Sequence, residues 1–176
     1  MLPHTGTPWC WAWHGMVCGN VALNPAVTRV TVVERDADVI ALIGELGIFE
    51  QLPAEARAKI DVVRADAFDW MPDTCVDSLQ ADISAKVVEP TKLDDVRRLQ
   101  DRICAGSLYF WGQEMELWRL ACRAAGHLPP ALRRGELDDL VAQTGLPLVM
   151  PTDPDLPAKI VVGARWWTPQ RDGGWE

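Results

Sequence analysis

Three acidic side chains follow apolar segments of the chain, at positions where carboxylates can recognise a nucleoside. Glu34 closes the segment "VTRVTVVE", Asp66 follows "IDVVRA" and Asp82 follows "VDSLQA". A carboxylate accepts hydrogen bonds from the two hydroxyls of a ribose or from the exocyclic amine of adenine, and each charge-assisted bond contributes about 1.5–3 kcal/mol. Glu34 is therefore a candidate for binding ribose, and Asp66 is a candidate for binding the base.

The neighbours of Asp66 add a second element of recognition. In "ADAF", Ala67 and Phe68 follow the acid directly and offer apolar groups that cover an adenine ring. Two strand-end acids, one for ribose and one for base, form a more specific pattern than either acid alone. The alternative for each residue is a carboxylate that faces water at the end of a strand.

Two glycines precede Glu34 by about the distance found in dinucleotide-binding folds, where a glycine loop and an acidic residue are roughly twenty residues apart. These are Gly15 and Gly19 in "HGMVCGN". We therefore expect a loop at Gly15–Gly19 whose backbone amides approach an anionic part of the ligand.

Strand-like segments alternate with helical ones, which positions the acids at strand ends. β-branched, apolar composition predicts strands over Val27–Glu34, Ile60–Asp66, Val76–Ser84 and Ser107–Trp111. Apolar residues at helical spacing predict helices after the N-cap Asp36 until Gly47, in "PAEARAK", in "KLDDVRRLQDRICA" closed by Gly106, in "QEMELWRLACRAAG" and near Glu136–Gln143. Residues 158–167 are ambiguous, and Pro157 in a first turn favours a helix.

This alternation predicts an α/β fold with a mostly parallel sheet and helices on both faces. Residues 1–14 are tryptophan-rich and lack the β-branched run that is typical of a strand, so the first strand is expected to be absent or atypical. We expect residues 15–126 to form the main domain and residues 127–176 a helical extension of it, because no linker separates them.

"VTVVERDADVIAL", "IDVVRADAFDW" and "VDSLQADIS" resemble consecutive motifs of the class I S-adenosylmethionine-dependent methyltransferases, in the branch similar to spermidine synthases. The resemblance covers roughly Gly15–Gly126 and implies a Rossmann-like fold. It implies that Glu34 binds the ribose of S-adenosylmethionine, that Asp66 and Ala67 bind adenine, and that Asp82 lies beside the transferred group.

The same resemblance sets the glycines near the methionine moiety. Arg35 stands where an apolar residue commonly covers adenine, and an arginine can stack on a base. The acceptor is a small molecule or another group that the sequence does not identify, and Asp82 would orient or deprotonate it.

Three alternatives remain open. A nicotinamide-binding domain would use Glu34 equally well, and an aminopropyltransferase would need a second acid pair, for which Asp77 and Asp82 are partial candidates. A degenerate Rossmann domain would act through partner contacts or self-association instead of catalysis. The incomplete glycine motif and the atypical first strand favour this last reading.

The composition of the 176-residue chain excludes several classes of function. A formal net charge of −8 disfavours a broad nucleic-acid surface, and no basic patch points to one. No apolar run approaches the ~20 residues that span a bilayer, and the N-terminus lacks the pattern of a signal peptide. We expect a cytoplasmic protein.

The five cysteines are scattered and contain no Cys-x-x-Cys pair, so we expect reduced thiols. Cys10, His14 and Cys18 recur every four residues and would align on a helix, but zinc normally needs a fourth ligand, so we expect no metal site. The alternation of Trp9, Trp11 and Trp13 is typical of a strand face that packs against a core or partner.

Overall fold

A computed structural model describes residues 8–10, 15–84, 86–129 and 131–167, which form a mixed α/β structure. The strands are β1 (Pro8–Cys10), β2 (Val30–Glu34), β3 (Ile60–Arg64), β4 (Ser78–Ala81) and β5 (Ser107–Phe110). The helices are α1 (Gly15–Ala22), α2 (Ala37–Glu45), α3 (Ala54–Arg57), α4 (Lys92–Ile103), α5 (Gln113–Ala125), α6 (Arg134–Thr144) and α7 (Leu156–Gly163). Across these described ranges, no helix is long and apolar enough to cross a membrane.

The strands form one parallel sheet in the order β3-β2-β1-β4-β5. From β1, the chain adds β2 and β3 on one side and β4 and β5 on the other, so the direction of strand addition reverses at β1. The carboxyl ends of all five strands lie at the same edge. A crevice outside the reversal point is where ligands bind in open α/β sheets.

The atypical first strand is short but central. Trp9 pairs with Thr31 of β2 on one side and with Leu79 of β4 on the other. Pro8 opens the strand, a position where the missing N–H of proline is tolerated. Residues 8–10 of the N-terminal segment, for which we expected an absent or atypical first strand, therefore form a short strand that joins the two halves of the sheet. Trp11 and Trp13 lie outside the described residues.

Helices cover both faces of the sheet. Val32 packs with Cys18 of α1 and Ala56 of α3, whereas Val33 belongs to the cluster that contains Val96 and Leu99 of α4. Adjacent residues of a strand point to opposite faces, so these two clusters lie on opposite sides of the sheet. Among the described residues, α1 and α3 therefore pack on one face of the sheet and α4 packs on the other.

Local signals fixed several helix ends correctly. Asp36 caps α2 by accepting a hydrogen bond from the N–H of Asp38 at 2.9 Å, and Gly47 follows with a left-handed φ of 59°. Gly126 ends α5 in the same conformation, with φ of 70°. Asp36 occupies the predicted N-cap, and Gly47 and Gly126 stand where the sequence predicts the stops.

The predicted end of α4 is wrong. The helix ends at Cys104, whose backbone is left-handed with φ of 56°, two residues before the predicted stop at Gly106. Gly106 instead donates a backbone hydrogen bond to the carbonyl of Val76 at 2.8 Å. A Cβ at Gly106 would lie 3.2 Å from the carbonyl oxygen of Asp77, so glycine serves this close approach.

The strand predicted over Ile60–Asp66 is shorter in the structure and is partly exposed, although its valines are typical of a buried strand. β3 ends at Arg64 and is the outermost described strand on its side of the sheet, and Val62 remains 38% exposed. Arg29 pairs with Asp61 across the strands at 2.8 Å between Nη2 and Oδ2. The valines predict a strand, and β3 is partly exposed because it is the outermost described strand on its side of the sheet.

The residues after Gly126 pack on α5 and on β5. Leu137 and Leu140 of α6 and Ile160 of α7 lie in one apolar cluster with Trp118 of α5. The segment 147–149 pairs with the outer side of β5, where Leu108 donates to Pro147 and accepts from Val149, each at 2.8 Å. The ambiguous tail forms a helix with Pro157 in its first turn, as predicted.

Candidate functional site

Glu34, Arg35 and Asp66 meet at the carboxyl edge of the sheet. Glu34 ends β2 opposite Arg64, and its carbonyl accepts a hydrogen bond from the N–H of Ala65 at 3.1 Å. Asp66 therefore lies just beyond the paired part of β3. Its Oδ2 lies 3.9 Å from Nη1 of Arg35, in an ion pair that water reaches on both sides. The two predicted nucleoside acids thus flank the same end of the sheet.

The carboxylate of Glu34 is held at the strand end. Its Oε1 accepts a hydrogen bond from the backbone N–H of Asp36 at 2.8 Å, and Asp36 in turn caps α2. The side chain is half-buried. The start of α2 therefore fixes the direction of Glu34, which is the preorganisation that a ribose site needs.

Asp66 begins a tight turn that orients its carboxylate. Oδ1 accepts from the N–H of Phe68 at 2.9 Å, and the carbonyl of Asp66 accepts from Asp69 and Trp70. Ala67 is buried beneath the turn, with 2% of its surface exposed. These bonds fix the Asp66 carboxylate beside the end of β2.

Phe68 has a packing role in the structure. The ring contacts the apolar cluster around Ala67, and the guanidinium carbon of Arg98 lies 4.8 Å from the ring centroid. Arg98 belongs to α4, so the cation–π contact joins this turn to the helix. The predicted contact between Phe68 and an adenine ring stays a prediction.

The predicted glycine loop is wrong in its structure. Gly15 begins α1 and Gly19 lies within this helix. Their four-residue spacing places both glycines on one face of the helix. Gly19 is buried, and a Cβ there would lie 3.3 Å from Cδ2 of Leu52. Gly19 therefore allows close packing of α1 against Leu52 and does not lie in a ligand-binding loop. Gly15 stands at the helix N-terminus after β1.

Asp82 directly follows β4 and lies near Tyr109 of β5. Gln80 pairs with Tyr109, and Asp82 is two residues beyond Gln80, so strand alternation gives both side chains the same face. Burial raises the pKa of Tyr109, and the nearby charges of Glu114 and Asp82 raise it further. Asp82, Tyr109 and Glu114 thus form a half-buried polar group at the carboxyl ends of β4 and β5.

The partial acid pair of Asp77 and Asp82 is wrong. Asp77 precedes β4 and Asp82 follows it. A strand rises about 3.3 Å per residue, so the two residues are roughly 16 Å apart along the sheet and belong to opposite edges. They cannot bind the two ends of one small amine at the same edge.

A buried lysine that the sequence did not single out fixes the segment after Asp82. Lys92 is 2% exposed, and its Nζ donates to the carbonyls of Lys86, Val87 and Trp111. Burial lowers the pKa of Lys92, while Glu116, Glu89 and Asp82 oppose that shift. A lysine at a helix N-terminus is unfavourable for the helix dipole, and this was the available signal.

A buried ion pair supports the same segment from α5. Nη1 of Arg119 lies 2.7 Å from Oε2 of Glu116, and the two side chains are 7% and 4% exposed. Arg119 also donates to the carbonyl of Glu89 at 3.3 Å. Burial raises the pKa of Glu116, and Arg119 counteracts this. The segment that carries Asp82 towards α4 is therefore anchored from both helices.

Cys10 and Cys18 do not lie along one helix, because Cys10 is in β1 and Cys18 is in α1. His14 lies outside the described residues. Within the described ranges, no group of three or more histidine, cysteine or acidic side chains is arranged to hold a metal ion.

Comparisons with protein-family models, curated proteins and solved structures found no match. A functional assignment for this chain must therefore stand on the residues at the carboxyl edge of its own sheet.

Proposed function

We propose that the chain is a Rossmann-like domain that binds S-adenosylmethionine and is related to class I methyltransferases. The observation that carries the proposal is the meeting of Glu34 and Asp66 at adjacent strand ends. The strand order reverses at β1, beside β2, which is where such folds bind ligands.

The residues present fit the nucleoside part of the cofactor best. Glu34 would bind the ribose hydroxyls, and Asp66 would bind the amine of adenine. Arg35 would lie against the base, since its side chain is 78% exposed beside Asp66. The N-terminus of α1 at Gly15 would face the methionine carboxylate, where backbone N–H groups favour an anion.

The chain's own contribution to transfer would be positioning. The bound cofactor supplies an electrophilic methyl group, and Asp82 would orient the acceptor or take its proton. Tyr109 and Glu114 stand beside Asp82 and would help to hold the acceptor. This group favours an acceptor with hydrogen-bond donors, while the acceptor itself stays unidentified.

Calorimetric titration of the full chain with S-adenosylmethionine tests the proposal. We expect saturable binding that weakens at least about tenfold in Glu34→Ala, because one charge-assisted bond contributes about 1.5–3 kcal/mol. Glu34→Gln can retain the bond from Asp36 and should also weaken binding. Glu45→Ala changes an exposed acid at the far end of α2 and should leave affinity unchanged.

Two results would contradict the proposal. Absence of binding at millimolar ligand would remove the cofactor, and equal affinities for Glu34→Ala and Glu45→Ala would remove the ribose assignment. A parallel titration with NAD separates the classes, since binding of NAD alone would indicate a nicotinamide-binding domain.

A second candidate is a domain that acts through contacts between copies of this chain. Val62 of the outer strand β3 is 38% exposed, and Leu42 and Leu46 of α2 are 52% and 58% exposed. An outer strand with apolar side chains is a template for pairing with another strand. This candidate does not require the cofactor, and its test concerns the mass of the protein in solution.

A further inference from the structure

Two exposed cysteines lie at the start of neighbouring strands. Cys75 precedes β4 by three residues, and Cys104 precedes β5 by three residues. β4 and β5 are parallel, with Ser78 opposite Ser107. If the same offset is extended three residues ahead of the strands, Cys75 corresponds to Cys104.

Backbone contacts keep the two chains together ahead of the strands. The N–H of Gly106 donates to the carbonyl of Val76 at 2.8 Å, and the hydroxyl of Ser107 donates to the carbonyl of Asp77 at 2.9 Å. Neighbouring strands are about 4.8 Å apart, and a disulfide spans Cα separations of about 4.4–6.8 Å. The backbone spacing at this place therefore suits a disulfide.

The side chains are also in reach of each other. A side-chain hydrogen bond between the two thiols is the main cause that raises the pKa of Cys104. Cys104 has a left-handed backbone at the end of α4, a position that glycine or asparagine usually fills. The thiol of Cys104 therefore stands at the end of α4, two residues before the backbone contact between Gly106 and Val76.

We propose that Cys75 and Cys104 form a dithiol site that low-molecular-weight disulfides oxidise to an intramolecular disulfide. One thiolate attacks the reagent disulfide, forms a mixed disulfide and releases one small thiol. The other protein thiol loses its proton and attacks the mixed disulfide, releasing the second small thiol. The two cysteines lose two electrons, which reduce the reagent to two thiols.

The bond would close a loop of about 30 residues that contains β4, Asp82 and α4. Cross-linking a loop of this length restricts the unfolded chain, so oxidation is expected to raise Tm by on the order of 10 °C. The dithiol site does not depend on the proposed cofactor.

The test treats the reduced full chain with oxidised glutathione under native conditions, followed by intact mass and peptide mapping. We expect the loss of two hydrogen atoms, a linked peptide containing Cys75 and Cys104, and a raised Tm that dithiothreitol reverses. In Cys75→Ser and Cys104→Ser, the remaining cysteine should instead carry glutathione, and the Tm rise should disappear.

Cys104→Asn serves as a second variant, because asparagine tolerates the left-handed backbone and protects the helix end. It should fold and carry glutathione on Cys75. Stable glutathione adducts on both cysteines of the wild-type chain would overturn the proposal. A disulfide that joins two chains through either cysteine would overturn it as well.

Discussion

Tyr109 reports on the polar group around Asp82, because it is the single tyrosine of the chain. Burial and the charges of Glu114 and Asp82 raise its pKa above the usual value of about 10. The folded chain therefore keeps the phenol proton at a pH where the unfolded chain loses it. The resulting stability is complete below pH ~10 and is lost as the pH rises through the folded pKa.

We expect the ultraviolet absorbance of phenolate to appear above pH ~10 in the native protein. Asp82→Asn removes one of the charges that raise the pKa, so the transition should move to lower pH. Asp101→Asn alters an exposed acid of α4 and should leave the transition in place. A native transition at pH ~10 that Asp82→Asn does not move would show that Asp82 does not act on Tyr109.

The burial of Lys92 is not expected from its residue type. The first turn of α4 contains Asp94 and Asp95, so a lysine there has the composition of a solvated helix start. Its burial results from the carbonyls of Val87 and Trp111, which come from two other parts of the chain. The local sequence offers only one sign of this burial, a lysine at a helix N-terminus, because the partners of Lys92 come from separate segments.

Gly112 lies in the short connection between β5 and α5. Its φ is 84°, and a Cβ there would lie 2.6 Å from the carbonyl oxygen of Val87 and 3.3 Å from Nζ of Lys92. Both the backbone and the space exclude a side chain. The segment after Asp82 consequently lies directly against the start of α5.

Gly112→Ala should lower the free energy of unfolding by about 2 kcal/mol or more, because it combines a left-handed backbone with a backbone clash. Gly135→Ala in α6 is the matched control, since no atom lies within 4 Å of its Cβ position. The control should be neutral or stabilising by about 0.5–1 kcal/mol. Urea unfolding of both variants measures the difference, and equal stabilities would contradict the role of Gly112.

Some helices and strands can be predicted from the local sequence, and others depend on pairing with distant segments. β2, α2 and α5 follow from local signals, namely a β-branched run, an N-cap at Asp36 and a glycine stop at Gly126. β1 has three residues and no β-branched composition. It forms a strand because it pairs with β2 on one side and with β4 on the other. The distance between Gly19 and Glu34 predicts a loop, but the four-residue spacing of Gly15 and Gly19 is equally compatible with the helix that forms.

The two outer strands of the described sheet differ in whether their outer side is covered. The outer side of β5 is covered by residues 147–149, whereas β3 is the outermost described strand on the other side. Val62 stands in the middle of β3 and is 38% exposed. Pairing through β3 would extend the sheet across two copies of the chain.

Val62→Lys should reduce concentration-dependent self-association, because a lysine on an outer strand opposes strand pairing. Light scattering after size-exclusion chromatography measures the molar mass. Val162→Lys is the control, since Val162 is a 57% exposed valine on α7. An unchanged monomer for the wild type and both variants would remove the candidate function based on contacts between copies.

The α/β class, most helices and the acids at strand ends follow from the sequence, because they depend on periodicity, caps and local composition. The tertiary structure sets Glu34 and Asp66 at adjacent strand ends, separates Asp77 from Asp82, and brings the segments of Cys75 and Cys104 together before β4 and β5. Each of these relations requires strand order and register. Pairing between distant segments sets both, and the free energy of pairing depends on all the strands together.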